Sequence, residues 1–405
     1  MITTSPILLN ASGQTQLRER YRAALLDDVI PFWLHYGLDA ENGGLLSCLD
    51  RDGRVVDTDK SMWAQGRTAW MLATLYNEVE ARPQWLDAAR SCLHFLREFG
   101  ESEGGKMWFS TTREGAPLRM RRYVYSESFA AIASAAYFKA SGESRAFEDA
   151  NRHFAAYLRH SFEPGAMPAK VETETRPMKG LGAHMIAIVT AQELRWNLGD
   201  ENPNGRTYSE QISASIAEIE RDFLKPDLKV LLETVGPNGE ILPHFDGRTL
   251  NPGHAIECAW FIMREGLWQS DTRLIQLGAQ ILDWMWKRGW DEKFGGLFYF
   301  RDLNCGPVAE YWHDMKFWWP HNEAEIATLL AWKLTGEARF AQMHQEVHDW
   351  SFSHFPDPEY GEWFGYLHRD GRLSTSLKGN LWKSCFHLPR MLWLNGQLLE
   401  SDARF

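Results

Sequence analysis

The chain reads as an all-α protein: six pairs of helices closed into an (α/α)6 barrel, with short β-hairpins gathered at one end. Three observations predict this. A glycine-containing, aromatic-rich segment recurs six times along the 405 residues, at intervals of 57 to 74 residues. Each interval holds two helical patterns, one amphipathic and one apolar on nearly every face. Nowhere do long strands alternate with helices, which excludes a doubly wound sheet.

The recurring segments begin at residues 42 (NGGLLSCLDRDGRV), 103 (EGGKMWFSTTREGA), 163 (EPGAMPAKVETE), 237 (PNGEILPHFDGR), 294 (FGGLFYFRDLNCG) and 360 (YGEWFGYLHRDGR). Several read as two short alternating strands joined by a D-G or N-G turn, the pattern of a hairpin. An amphipathic helix precedes each hairpin: 15–35, 83–99, 143–161, 208–226, 271–289 and 336–354. A more apolar helix follows each: 61–80, 124–140, 180–196, 252–265, 320–335 and 388–399. WMLATLY, FAAIASAAYF, AIECAWFIM and EIATLLAWKL have the all-round apolarity of helices buried on every side. Six inner helices ringed by six outer ones, with no linker or low-complexity stretch, read as one domain over residues 1–405.

Composition narrows the function. Lys and Arg number 43 against 54 Asp and Glu, a net charge of −11, and no basic block is present. That excludes nucleic acid and anionic membrane as natural partners. No apolar run reaches the length of a membrane span. The start, MITTSPILLNASGQTQLRER, lacks the basic and apolar regions of a signal peptide. The five cysteines are scattered, with no C-x-x-C, which argues against a disulfide framework or a Cys-rich zinc site and for a cytoplasmic protein. Nineteen tryptophans suggest a large core plus platforms for flat ligands such as sugars.

Ionisable groups concentrate where the inner helices begin. Three of these helices carry Pro in the first turn, where its missing N–H costs nothing: NPGHAIECAW, WWPHNEAEIA and CFHLPRMLW. His254 and Glu257 share a face, Glu323 follows Pro320 by three, and His387 and Arg390 flank Pro389. The other inner helices bring Arg67, Tyr125, Glu127 and His184. A helix N-terminus lowers a histidine's pKa, so His254 and His387 are expected neutral and able to act as bases. Two such bases across a pocket suit a proton taken from one face and returned on another. Glu127 reads either as a ligand contact or as a partner of Arg121 or Arg122 at the rim. His321 reads as a cap or a pocket residue, and nothing marks Cys385 as a nucleophile. His344 and His348, in HQEVH, do not follow the H-E-x-x-H order and are expected on the solvated face of an outer helix. The G-x-S-x-G match at 100–104 follows a helix, not a strand, and is set aside.

VYSESFA, NPGHAIECAWF, KFWWPHNEAEIA, GEWFGYLHRDG and KGNLWKSCFHLPR resemble, in order and across essentially the whole chain, the N-acyl-D-glucosamine 2-epimerase family. The resemblance implies the same barrel and the interconversion of N-acylglucosamine and N-acylmannosamine through an enolate. His254 and His387 match the paired catalytic histidines, with Glu257 supporting the first. Arg67 matches a substrate-binding arginine near the reacting carbonyl, Glu323 a glutamate linked to ring handling, and Trp318–Trp319 the place where the sugar packs. Tyr125, Glu127, His184 and Arg390 complete the candidate set, with Arg390 and His184 weighted towards structural roles. No metal and no obligatory cofactor are implied. Some members are activated by ATP, and with no G-x-x-x-x-G-K-[ST] here any nucleotide site would be of another kind. A homodimer is expected, with the outer segment LDWMWKRGW as a candidate face. Members that isomerise mannose or epimerise cellobiose carry a third histidine in a segment ending Glu-Ala. LGAHMIAIVTAQEL departs from that pattern and favours the N-acylglucosamine branch. Two other activities stay open at this point: aldose–ketose isomerisation, and glycoside hydrolysis by a carboxylate pair drawn from Glu127, Glu257 and Glu323.

Overall fold

The computed structural model describes residues 6–400; the ends of the chain, 1–5 and 401–405, lie outside the described residues. Twelve helices of more than ten residues alternate between two concentric rings among the described residues. The inner ring comprises α2 (Met62–Glu78), α4 (Tyr125–Ser141), α6 (Leu181–Leu198), α8 (Pro252–Gln269), α10 (Trp318–Thr335) and α12 (His387–Leu398). The outer ring comprises α1 (Ala11–Ala23, continuing to Gly37), α3 (Pro83–Phe99), α5 (Ser144–Phe162), α7 (Tyr208–Glu218), α9 (Thr272–Gly289) and α11 (Ala338–His354). The expected (α/α)6 barrel is present, with each helix close to its expected bounds. Burial explains why the sequence separates the two rings so clearly. Every residue from Met62 to Leu75 in α2, and from Trp318 to Ala331 in α10, is buried. Outer helices such as α3, α5 and α9 bury one face only. Trp70 closes the inner ring, its indole packing on Phe386 and Trp393 from the other end of the chain.

Local chemistry fixes the helix ends. The side chain of Asn10 accepts from Gly13 N–H ahead of α1, and Asn251 caps α8 by accepting from His254 N–H. Within α1, Pro31 cannot donate to the preceding turn, and the helix widens to i→i+5 bonding on either side, over Ala24–Val29 and Trp33–Gly37. α8 and α10 approach so closely that a Cβ on Gly253 would sit 2.8 Å from the Trp319 ring and 2.9 Å from Pro320. That contact brings two site-bearing helix starts together.

The hairpins are corrected by the structure. Those at 42 and 103 form as expected, Cys48–Leu49 with Val55–Asp57 and Ser110–Thr111 with Pro117–Arg119. Apart from one further local pair, Leu224–Lys225 with Val230–Leu231, the other strands pair between repeats. The short strand leading into an inner helix bonds the loop one repeat further on: Lys60–Ser61 with Ser110–Thr111, Lys179–Gly180 with Thr234–Val235, Thr249–Leu250 with Arg301–Asp302, and Lys316–Phe317 with Tyr366–Leu367. Lys378 N–H and Gly379 N–H donate to the Leu49 carbonyl and continue the stitching around the ring. The segment at 163 forms no strand, and 245–248 turns into a single helical turn.

One ionic arrangement recurs three times at this end. Asp39, Asp291 and Asp357 each open a turn, accepting N–H bonds from the residues that follow. A buried lysine ahead of an inner helix meets each aspartate: Lys60 at 2.9 Å, Lys316 at 3.2 Å and Lys378 at 3.0 Å. An arginine from the next hairpin completes each set, respectively Arg113, Arg369 and Arg51. The lysines also donate to carbonyls inside the turn, such as Gly43 and Gly296. In two turns the last residue is glycine at positive φ, Gly44 and Gly296; in the third it is Glu362 at φ 55°. The Glu362 side chain accounts for that strained choice, accepting from Trp33 Nε1–H (2.6 Å) and Lys383 Nζ (2.7 Å) in the core.

Two other expectations fail. His344 and His348 are buried, not solvated; both lie 3.0 Å from the Tyr21 hydroxyl, in a polar cluster with Glu325 between α1, α10 and α11. Leu282, Met285 and Trp286 of the LDWMWKRGW segment are buried within the chain, so they cannot form a face towards a second copy. Among the described residues, no helix is long and apolar enough to cross a membrane.

The recurring ion set yields a stability prediction. Burial pulls Lys316 down to about 8, whereas Asp291, despite its own burial, is drawn to about 2 by Arg369 and Lys316. Lys316→Met leaves the buried aspartate with its rim partner alone and should cost about 3–5 kcal/mol in denaturant unfolding. A loss below about 1 kcal/mol would mean the lysine is not holding the turn.

Candidate active site

The inner-helix starts and the stitched loops enclose a cavity of about 900 Å3 on the barrel axis. His254, at the third position of α8, and His387, the first residue of α12, both line it. Trp319 touches both imidazoles, with ring centroids 5.1 Å from His254 and 5.8 Å from His387. Each histidine is held through Nδ1 by a carboxylate. His387 Nδ1 meets Glu323 Oε1 at 2.7 Å, and His254 Nδ1 meets Glu233 Oε1 at 3.0 Å. With Nδ1–H donating to the carboxylate, Nε2 carries a lone pair when the ring is neutral and a proton when it is charged.

The two carboxylates differ in kind. Glu323 is completely buried and does not reach the cavity. Its Oε2 accepts from Trp260 Nε1–H (2.9 Å), and its Oε1 is shared by His387 and Arg390 Nη2 (2.5 Å). The expected part in ring handling therefore gives way to positioning: both its oxygens accept from protein donors. Glu233 is a residue the sequence reading missed. It precedes the strand Thr234–Val235, whose pairing with Lys179–Gly180 carries it to His254. Its only signal was an acid between apolar runs in LLETVG. Glu257, expected to support His254, instead accepts from Arg390 Nη2 at 2.8 Å.

Charge follows from these contacts. Burial, then the charges of Arg67 and Arg390, pulls His387 well below the ordinary histidine range, so it is neutral. His254 departs from the expectation: its enclosure disfavours charge, but the Glu233 carboxylate outweighs this and raises its pKa. Burial and Arg390 lower Arg67, while Glu323 and Glu257 hold Arg390 charged against its own burial. Arg67 lines the cavity with its guanidinium over Phe129 (4.3 Å) and Phe386 (4.9 Å), and donates to the Trp382 carbonyl. Its Nε has no protein partner.

The remaining candidates divide. Trp318, Trp319, Tyr125 and Arg390 line the cavity as expected. Glu127 does not: it is buried beside it, accepting from Met107 N–H at 2.8 Å, and pairs with neither Arg121 nor Arg122. His184 also faces away, its Nε2 3.1 Å from Glu218 and its ring between Phe162 and Phe223. His321 is structural, with Nδ1–H donating to Phe317 and Nε2 accepting from Leu297 N–H. The buried Cys385 thiol is pushed well above its usual range, which removes it as a nucleophile. Donor atoms of Glu257, Glu323 and His387 lie within 4.8 Å of one another, a spacing a metal ion could use. The Arg390 guanidinium already bridges the two carboxylates and supplies the positive charge there.

A family model described as N-acylglucosamine 2-epimerase matches residues 44–388. The chain belongs to the N-acylglucosamine 2-epimerase family. Within it, the chain is 34% identical to the N-acylglucosamine 2-epimerase of Bos taurus over 389 residues, covering 93% of this chain and 90% of that protein. It is 35% identical to the Homo sapiens protein of the same name over 384 residues, covering 92% and 88%. The fold is shared with cellobiose 2-epimerase from Bacillus thermoamylovorans (TM-score 0.81, 20% identity, 94% and 98% covered). A D-mannose isomerase structure is similar in fold as well (TM-score 0.79, 18% identity, 93% and 97% covered).

The unequal histidines can be read directly. In a pH titration of histidine NMR signals, His254 should titrate above the ordinary value of ~6.5. In Glu233→Gln it should fall, because burial is then opposed only by the smaller effects of Glu257 and Glu323. Identical titration in both proteins would show that Glu233 does not set the charge.

Proposed function

We propose that the chain is a sugar 2-epimerase that interconverts N-acyl-D-glucosamine and N-acyl-D-mannosamine, with His254 and His387 as its two bases. The observation that carries this reading is the pair of carboxylate-held imidazoles in one cavity, one with its pKa raised by Glu233 and one with its pKa lowered by burial and two arginines. Family membership supports the sugar class and the reaction.

The substrate reacts in its open-chain form. With Glu323 withdrawn from the cavity, ring opening falls to the histidines, protonated His254 as acid at the ring oxygen and His387 as base at the anomeric hydroxyl; His387 then loses that proton to solvent and His254 regains one, which restores the starting states. Neutral His387 then removes the C2 proton through Nε2, and the C–H electron pair moves into the C1–C2 bond as the carbonyl oxygen becomes an enolate. Arg67 stabilises that developing charge at low reorganisation cost, since its guanidinium is already desolvated and fixed. Protonated His254 delivers its proton to C2 from the other face and the carbonyl re-forms. The reverse reaction runs from the tautomer with the proton on His387. The carbonyl itself acidifies C2, so no metal or redox cofactor is required.

The hydrolase alternative loses its acids, because Glu127 and Glu323 do not line the cavity and Glu257 is committed to Arg390. An aldose–ketose isomerase would return the proton to C1 instead.

In D2O, N-acetylmannosamine formed from N-acetylglucosamine should carry deuterium at C2 and none at C1; label at C1 would establish the isomerase. His387→Asn or His254→Asn should lower epimerisation by about 10²–10⁴-fold. Each variant retains at most exchange of one epimer's C2 proton, through the base that remains. Full activity in His387→Asn would overturn the two-base assignment.

A further inference from the structure

The cavity continues well past the histidines. His254 is the third residue of α8 and Arg264 the thirteenth, and both line it. At 1.5 Å per residue the cavity therefore extends about 15 Å down the barrel axis. Its walls change character with depth. At the mouth stand Tyr299, Tyr366, Asn380 and Arg121. Directly below the histidines stands the Arg390–Glu257 ion pair on one side, and beyond it the walls are Ile132, Met185, Ile186, Val189, Trp260 and Leu394, with Thr190 among them. The floor is closed by the ion pair Arg264–Glu193 (2.6 Å), which Trp70 Nε1–H joins by donating to Glu193 at 3.0 Å.

Only part of an N-acylhexosamine suits that lower space. The carbons from C3 to C6 each bear a hydroxyl, and burying hydroxyls without partners is costly. They belong at the polar mouth. The C1 oxygen is drawn to Arg67. Of the groups on C2, that leaves the acyl substituent to point down the apolar shaft, where an acetyl group fills only the top. We infer that the shaft is an acyl-chain pocket, and that the enzyme takes N-acylglucosamines with chains longer than acetyl. This rests on the activity proposed above and names its substrate class.

The test uses glucosamine bearing N-acetyl, N-propanoyl, N-butanoyl and N-hexanoyl groups. Epimerisation is followed by NMR, and binding by quenching of the tryptophans that line the cavity. Each added methylene enters apolar surroundings, so kcat/KM and affinity should rise about fourfold per methylene through N-butanoyl. Val189→Phe should remove that gain while leaving N-acetyl turnover within about twofold of the parent; Val189→Leu, a smaller insertion, should remove part of it. A fall in kcat/KM and affinity at the first added methylene would overturn the inference, as would a Val189→Phe loss equal for every chain length in a folded protein. The two proposals fail separately. Tighter binding of longer chains without any epimerisation would sink the activity and leave the pocket standing. Epimerisation of the N-acetyl sugar with weaker binding of longer ones would do the reverse.

Discussion

The buried carboxylate of Glu323 ties three inner helices into one site. It sits on α10, takes a bond from Trp260 on α8, and takes two more from His387 and Arg390 on α12. A carboxylate this deep is tolerable only with its charge matched and its lone pairs occupied. Arg390 does both, and the same nitrogen reaches Glu257. The two carboxylates and the two guanidinium groups of Arg67 and Arg390 thus balance within a low-dielectric shell. That balance leaves His387 as the member that stays neutral, since an added proton there would place a third positive charge beside two arginines.

His254 is held by the opposite means. Its partner Glu233 comes from a loop, and 32% of the His254 side chain is open to the cavity. The Glu233 carboxylate, with smaller contributions from Glu257 and Glu323, outweighs the burial of His254 and raises its pKa. The asymmetry between the histidines is therefore an asymmetry between a core-supported imidazole with a lowered pKa and a loop-supported one with a raised pKa. It depends on a two-residue β-pairing between Thr234–Val235 and Lys179–Gly180 that no helix pattern reveals.

This is why the fold was more legible than the site. Helices announce themselves through apolar period and first-turn proline, so the two rings and the placement of His254, His387, Arg67 and Trp319 followed from the sequence. The hairpins at 42 and 103 are legible, but most of the remaining strands pair with the loop of the next repeat, and a turn signal says nothing about which edge it will meet. Glu233 escaped for the same reason. Glu127 and His184 lie near the helix starts but one side away from the axis, a difference below the resolution of helical spacing. His344 and His348 were read as a solvated face. In a closed ring, however, an outer helix is flanked on both sides as well as from within, and Tyr21 and Glu325 supply the polar partners that make their burial tolerable. Lys60, Lys316 and Lys378 look like surface charges until their aspartates are brought beside them.

Those lysines also distribute rigidity around the barrel. The three ion sets stand ahead of α2, α10 and α12, the helices that carry Arg67, Trp318 and Trp319, Glu323, His387 and Arg390. Ahead of α4, α6 and α8 no lysine is fully buried among the described residues, and the loop at 163–178 forms no strand. The half of the ring that carries Arg67 and His387 is thus locked by buried charge at its loop end. The half lined by Ile132, Met185 and Val189 also carries His254, and its ion pairs Arg195–Glu265 and Arg264–Glu193 lie far down the helices instead. Buried charge therefore fixes the helix starts that hold Arg67 and His387, while His254 depends on the Asn251 cap and on a carboxylate brought in by a loop.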